Sequence, residues 1–282
     1  MQEAKSCALI TGASLGLGRA FARECASRGM NLLLVALPDS GLPELGESIG
    51  RETGVRVDWL EADLTEAATL EALIALIRSM RLDVELLVNN AGIGGVGLFM
   101  DLPVEHHEDT IRLNVLALTS LTRRIASEFS ERKKLRVLNV ASLGAFFPMP
   151  TLSVYSATKS FVLDFSLALR AELAGSVGVS VLCPNAIVTN EAVDDYVSGL
   201  GLVSRLACMT PARVARAALD GVARGKAIII PGRFNRVLAA LSRFVPRALA
   251  MRAIRRYWGG FETTGESADV GPAGAEAGSA KA

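Results

Sequence analysis

Short, nearly unbroken apolar runs alternate along this chain with longer stretches of helical length. The runs Ser6–Ile10, Asn31–Leu37, Val55–Leu60, Val84–Asn89, Leu135–Val140, Val179–Cys183 and Ala227–Ile230 read as strands. A strand with one wet face would alternate apolar and polar residues. Continuous runs are what a parallel strand covered on both faces requires. Between them lie Thr65–Met80, Pro103–Ser130 and Thr151–Ala174, all of helical length. Repeated strand–helix alternation predicts an α/β fold, a doubly wound parallel sheet of about seven strands with helices on both faces and right-handed crossovers.

The pattern changes after Gly232. Phe234, Val237, Leu238, Leu241 and Val245 follow helical spacing, with Arg233, Arg236, Arg243 and Arg247 on another face. Pro246 interrupts that helix, and Leu249, Ala250, Ala253, Ile254 and Tyr257 then face away from Arg252, Arg255 and Arg256. The predicted organisation is an α/β domain over 1–232, a basic amphipathic helical extension over 233–261, and a tail over 262–282 rich in Gly, Ala, Ser and acids, expected to be disordered. Asn190–Thr210 follows a strand and lacks clean periodicity. It is either a substrate loop bordering the ligand crevice or an ordinary surface excursion.

Composition narrows the class. Of the 282 residues, 50% are hydrophobic and 21% charged, which excludes wholesale disorder. The net charge of +1 is uneven: residues 221–261 carry nine Lys/Arg and no acid, and residues 262–282 carry four acids and one lysine, leaving −5 for residues 1–220. The four cysteines, Cys7, Cys25, Cys183 and Cys208, are scattered without a C-x-x-C pair, as suits core residues in a reducing compartment. The two histidines, His106 and His107, have no Cys or acid cluster to complete a metal site, so no metal is expected and both are placed at a surface or interface. No signal-peptide pattern opens the chain and no run of ~20 apolar residues would span a bilayer. The expected location is cytoplasmic, with peripheral membrane association where the basic extension meets lipid.

The first strand runs into Thr11-Gly12-Ala13-Ser14-Leu15-Gly16-Leu17-Gly18 and then a helix. Glycines in this position permit a tight turn and close approach of a pyrophosphate to a helix N-terminus, where free N–H groups and the dipole favour anions. Alone, the trio also describes a structural turn. Asn89-Asn90-Ala91-Gly92 ends the fourth strand, and Ser142 follows the fifth. Tyr155 and Lys159, four residues apart, share a helix face. An ammonium beside a phenol favours phenolate, so Lys159 is expected to lower a Tyr155 pKa that is otherwise about 10 and make it a usable acid or base.

In this order and spacing, the motifs resemble the short-chain dehydrogenases/reductases, in particular the subgroup acting on lipid or acyl ketones. The resemblance runs from about Lys5 to Gly232 and implies a Rossmann-type fold. It also implies roles. Tyr155 exchanges the substrate hydroxyl proton, Ser142 hydrogen-bonds the carbonyl oxygen, and Lys159 binds the nicotinamide ribose and supports Tyr155. Asn114, in Arg112-Leu113-Asn114-Val115, matches the asparagine that holds a proton-relay water; taken alone it is a local helix hydrogen-bonder. Gly12, Ser14, Gly16, Leu17, Gly18, Asn90, Ala91 and Gly92 would line the cofactor, with Tyr155 and Lys159. Asp63 matches the adenine contact, although by itself it reads as an acid near a helix N-cap. Pro184-Asn185-Ala186-Ile187-Val188-Thr189 corresponds to the family's Pro-Gly motif beside the nicotinamide carboxamide, with Ile187 and Thr189 as cofactor contacts. Asn185 replaces the expected glycine, and asparagine tolerates positive φ better than most residues.

Cofactor choice in this family is read at the end of the second strand, where an acid accepts the ribose 2′-OH and an arginine pairs with a 2′-phosphate. Those positions are Ala36 and Leu37, with Asp39 the nearest carboxylate. Without a repelling acid at the key position, NADP(H) is slightly favoured over NAD(H). The function expected is hydride transfer between nicotinamide and a ketone or secondary alcohol of an apolar, lipid or acyl-chain substrate. The alternatives are a soluble small ketone or sugar, or a nucleotide-sensing scaffold without turnover. Segment 233–261 ends in the amphipathic aromatics Tyr257, Trp258 and Phe261. It suits an anionic membrane surface, a packing role between subunits, or a cap on the chain's own cleft. The resemblance implies a homo-dimer or homo-tetramer, and no nucleic-acid-reading motif is present.

Overall fold

The structure, a computed structural model, describes residues 6–132, 134–185 and 208–242. Seven strands form one sheet: β1 (Ser6–Thr11), β2 (Asn31–Ala36), β3 (Val57–Glu61), β4 (Asp83–Asn89), β5 (Arg136–Val140), β6 (Gly178–Leu182) and β7 (Ile228–Ile229). Their order is β3-β2-β1-β4-β5-β6-β7 and every pairing is parallel. This is the expected doubly wound sheet, its order reversing between β1 and β4.

Helices cover both faces. Along β1, Ala8 and Ile10 join Leu32 and Leu34 in a layer closed by α1 (Gly16–Ser27), α2 (Leu42–Thr53) and α7 (Pro211–Ala223), through Phe21, Ile49 and Val214. Cys7 and Leu9 face the opposite way, with Leu33 and Val35, toward Leu73 and Ile77 of α3 (Ala67–Ser79) and Leu121 and Ile125 of α5 (Leu118–Phe129). Successive strand residues therefore enter different cores, which is why the sequence shows runs rather than alternation. Val162 and Leu163 of α6 (Ser153–Glu172) extend the covering across Val181 and Cys183.

The expected long helix over Pro103–Ser130 is three joined pieces: α4 (Val104–Ile111), a π-helical turn (Arg112–Ala117) and α5. A π-turn adds one residue without breaking the rod, a change too small for apolar periodicity to reveal. The last helix among the described residues, α8, covers Arg233–Ser242, and the rest of the proposed extension and the tail lie outside the described residues. Among the described residues no helix is long and apolar enough to cross a membrane, and no group of three or more His, Cys, Asp or Glu could hold a metal ion.

Candidate active site at the carboxyl edge of the sheet

Thr11 ends β1, and the chain reverses through Gly12 (φ 62°) and Gly16 (φ 50°), left-handed conformations that glycine adopts without a Cβ penalty. Space demands glycine as well. A Cβ on Gly12 would stand 2.9 Å from the Ala91 Cα, and one on Gly18 would run into the Gly12 carbonyl oxygen. The β4 loop is stapled to this turn. Thr11 Oγ1 accepts from the Asn90 and Ala91 N–H groups, each at 3.0 Å, and Asn90 Nδ2 donates to the Thr11 and Gly12 carbonyls at 3.0 and 3.1 Å. Leu15, at the N-cap of α1, provides no side-chain acceptor for the first turn. A glycine cradle beneath an uncapped helix start fits the pyrophosphate of a dinucleotide.

Around the rim, Ala36 is buried and Leu37 half exposed, so neither brings a charge to the end of β2. Asp63 Oδ1 accepts from the Thr65 N–H and hydroxyl, both at 2.8 Å, and so orders the turn into α3. Glu66 is the N-cap of α3 and makes no side-chain cap bond, so Asp63 shapes the turn ahead of the helix rather than capping it.

At the centre, Asn114 is 1% exposed on the π-turn. Its Oδ1 accepts from Ile93 N at 2.9 Å, and its Nδ2 donates to Ile93 O at 2.8 Å and Thr158 Oγ1 at 3.1 Å. It thus joins the β4 loop to α6. A Cβ on Gly92 would lie 2.9 Å from Asn114 Oδ1 and 3.1 Å from Lys159 Nζ, and one on Gly94 would press on the Tyr155 ring. The Lys159 ammonium donates to Val140 O at 3.0 Å and stands 5.6 Å from the Tyr155 ring centroid. Ser142 Oγ accepts from Gly144 N–H at 3.1 Å, while its hydroxyl is the side-chain hydrogen-bond partner of the phenol.

The electrostatics differ from the expected depression of the tyrosine. Burial pushes the Tyr155 phenol up to about 12, opposed by the Ser142 hydrogen bond. Burial also brings Lys159 down to about 8, with nearby Cys183 acting in the opposite direction. The reason is that both groups lose water together: desolvation disfavours each charged form and outweighs the attraction anticipated from helical spacing alone.

The structure brings Ser142, Tyr155, Lys159 and Asn114 together with Gly12, Ser14, Gly16, Leu17, Gly18, Asn90, Ala91 and Gly92 along the carboxyl edge, with Asp63 at the rim. Ile187 and Thr189 lie outside the described residues, as does most of Asn190–Thr210. Three supporting features were not anticipated. Arg19 Nε donates to Ser14 O at 2.9 Å across the glycine turn. Asn139, fully buried, accepts from Asn89 Nδ2 at 2.8 Å and donates to Ser166 Oγ at 2.9 Å. Thr151, left-handed at φ 66°, accepts from Gly97 N–H at 2.9 Å and so ties the β4–α4 loop to the start of α6. A polar residue within an apolar strand run was the available signal for Asn139; the other two depend on tertiary contacts. His107 stacks on Phe99 with ring centroids 4.6 Å apart, and His106 packs against Gly95, so both histidines brace that same loop.

A parallel sheet with a glycine cradle at its switch point, facing a Ser-Tyr-Lys group, defines a Rossmann-type nucleotide-binding protein. More specifically, residues 6–196 match the family of short chain dehydrogenases, and the chain belongs to it. It is 33% identical over 226 residues to a very-long-chain 3-oxoacyl-CoA reductase of Pyrenophora tritici-repentis, a match covering 78% of this chain and 65% of that protein. It is 36% identical over 186 residues to human 17-beta-hydroxysteroid dehydrogenase type 3, covering 64% of this chain and 59% of that one. The chain thus spans less than two thirds of the length of these curated relatives. Among solved structures, a short-chain dehydrogenase from Sphingobium yanoikuyae in complex with NADPH superposes with a TM-score of 0.72 at 32% identity, covering 94% of this chain and 99% of that one.

Proposed function

We propose that this chain is an NAD(P)-dependent oxidoreductase that interconverts a ketone and a secondary alcohol on an apolar substrate of the lipid or acyl-chain class. The observation that carries the reading is the convergence of Ser142, Tyr155 and Lys159 beside the glycine cradle. A bound nicotinamide supplies or accepts the hydride. Because Ser142 Oγ already accepts from Gly144 N–H, its own proton is free to point at the phenol or a carbonyl oxygen. With its pKa raised, Tyr155 keeps its proton at neutral pH and can give it to a carbonyl oxygen. Lys159 spends one donor on Val140 O and has others for the ribose. Asn114 fixes the β4 loop that faces the ring.

The exposed Leu98, Phe99 and Met100, on the loop that leaves Gly94 and the Tyr155 ring, favour an apolar substrate. The relatives named for 3-oxoacyl-CoA and hydroxysteroid chemistry support the same class. NADP(H) is preferred in this reading, since neither Ala36 nor Leu37 offers a carboxylate against a 2′-phosphate and a related structure holds NADPH. The apolar groove between α4 and α6, lined by Phe99, Ile111, Val115, Val154, Ala157 and Phe161, would receive a second copy of the chain. Arg233 and Arg236 beside exposed Val237 and Leu241 would give peripheral contact with anionic lipid from the cytoplasmic side.

Tyr155→Phe tests the assignment. It is expected to abolish turnover of a lipid ketone while leaving NADPH binding, followed by nicotinamide fluorescence, within about twofold. An unchanged kcat would remove Tyr155 from the chemistry.

A further inference from the structure

Asn185 stands where the family resemblance leads one to expect glycine, and the backbone does not account for it. The described non-glycine residues with positive φ are Asp39, Arg81 and Thr151, so Asn185 is not holding a left-handed turn. Its side chain is engaged instead. Asn185 Nδ2 donates to Asn235 Oδ1 at 3.0 Å, and Asn235 Nδ2 donates to Pro231 O at 3.0 Å. Flipping the Asn235 amide would set N–H against N–H at one end and oxygen against oxygen at the other, so the network fixes its orientation.

Asn235 lies in the first turn of α8 and is 2% exposed. The chain reaches it through Gly232 (φ 85°), where a Cβ would stand 3.2 Å from Asn235 Nδ2 and 3.4 Å from Met209 Sδ. One turn later Ala239 is also buried, whereas Val237 and Leu241 face out. The buried side of α8 packs on the 3₁₀ turn Leu143–Phe146, which directly follows Ser142. That turn is tied in its own right to the Asn185 segment, because Leu143 N–H donates to Pro184 O at 2.7 Å. Helix α8 therefore touches both strand-end loops of the catalytic centre, one by packing and one by an amide pair.

We propose that Asn235 is a positioning residue for the nicotinamide end of the cofactor site, acting through Asn185 and coupling α8 to cofactor binding. This rests on the proposed oxidoreductase function and on the position beside the nicotinamide that the family resemblance implies for the Pro184-Asn185 segment. Removing the Asn235 amide takes a partner from Asn185 and from the Pro231 carbonyl, and frees the strand-end turn to move relative to the glycine cradle. The cradle itself, on the β1 side of the sheet, keeps its own contacts. The effect is therefore confined to the nicotinamide half of the ligand.

The test compares the full-length wild type with Asn235→Ala, Asn185→Gly and the double variant. Each is titrated with NADPH, or with NADH if the wild type prefers it. Each is also titrated with the matching ligand lacking nicotinamide, 2′-phospho-ADP-ribose or ADP-ribose. One to two hydrogen bonds of ordinary net strength correspond to about a five- to thirtyfold loss of affinity. That loss is expected for the whole cofactor, with the ADP-ribose ligand held within twofold, and cofactor KM is expected to rise more than kcat falls. The double variant should be no weaker than the worse single one. Equal losses for both ligands, additive losses, or whole-cofactor affinity within twofold of wild type in a folded variant would each overturn the proposal. If Asn235→Ala does not fold, Asn185→Gly carries the same test, because it deletes the other half of the pair. If the folded wild type binds neither nicotinamide cofactor, the functional reading falls and takes this inference with it. Wild-type binding with unresponsive variants defeats only the inference.

Discussion

Replacing Lys159 with methionine should stabilise the ligand-free protein while destroying its activity. Lys159 is 4% exposed, and burial lowers its pKa from 10.5 to about 8. Keeping that ammonium charged in the folded state at pH 7 therefore costs about 3 kcal/mol relative to the unfolded chain. Against this stands the loss of its hydrogen bond to Val140 O, about 1–2 kcal/mol with the carbonyl left unpartnered. Methionine fills a similar volume, so Lys159→Met is expected to gain about 1–2 kcal/mol at pH 7. Between pH 8 and 10.5 the unfolded lysine still holds a proton that the folded one has released. Wild-type stability therefore rises with pH across that window, and the penalty is complete only below pH 8.

Buried Cys7, Cys25 and Cys183, each raised from 9.0 to about 12, work in the other direction, since folding stability falls as pH climbs from 9 toward 12. Loss of the lysine raises Cys183 further, but all three folded thiols stay protonated at pH 7 and pH 9 in both proteins, so the gap between wild type and variant follows the lysine. Urea unfolding at pH 7 and pH 9 should show that gap shrink by about 1 kcal/mol. A variant less stable than wild type at pH 7, or a gap unchanged between the two pH values, would refute the argument.

Gly18→Ala should weaken cofactor binding at least about tenfold and destabilise the chain by about 1–3 kcal/mol, because the new Cβ meets the Gly12 carbonyl oxygen. Fluorescence titration and urea unfolding check the two halves, and a dissociation constant within twofold of wild type would show that the turn can open. Asn139→Ala should cost about 1–3 kcal/mol, since Asn89 and Ser166 each lose a buried partner. Its unfolding midpoint is the measurement, and an unchanged midpoint would mean that those groups find other partners.

Much of the fold was legible because burial on both sheet faces writes itself into composition. Cys7 to Ile10 and Leu32 to Val35 are apolar at every step, as two separate cores require. The candidate site was legible for a related reason: a close-approach turn needs glycine at Gly12 and Gly18, and a helix face needs spacing of four for Tyr155 and Lys159. The π-turn around Asn114 was not legible, since one inserted residue hardly disturbs a 3.6-residue period. Thr151 gave no warning either, a β-branched residue in a conformation that only its surroundings enforce.

Local pattern thus determined the parallel α/β architecture, the glycine cradle and the Ser-Tyr-Lys set. Those features depend on interactions a few residues apart or on hydrophobicity summed along an element. Tertiary structure alone decided the charge states, because a pKa depends on how much water a group loses, and spacing cannot report that. Packing made Tyr155 a firmly protonated phenol and Lys159 a reluctant cation. It also decided that Asn185 reaches fifty residues along the chain to Asn235, bringing α8 to the edge of the site. Pairings at that separation exist only once the sheet has closed its long loops, so no reading of neighbours in sequence could contain them.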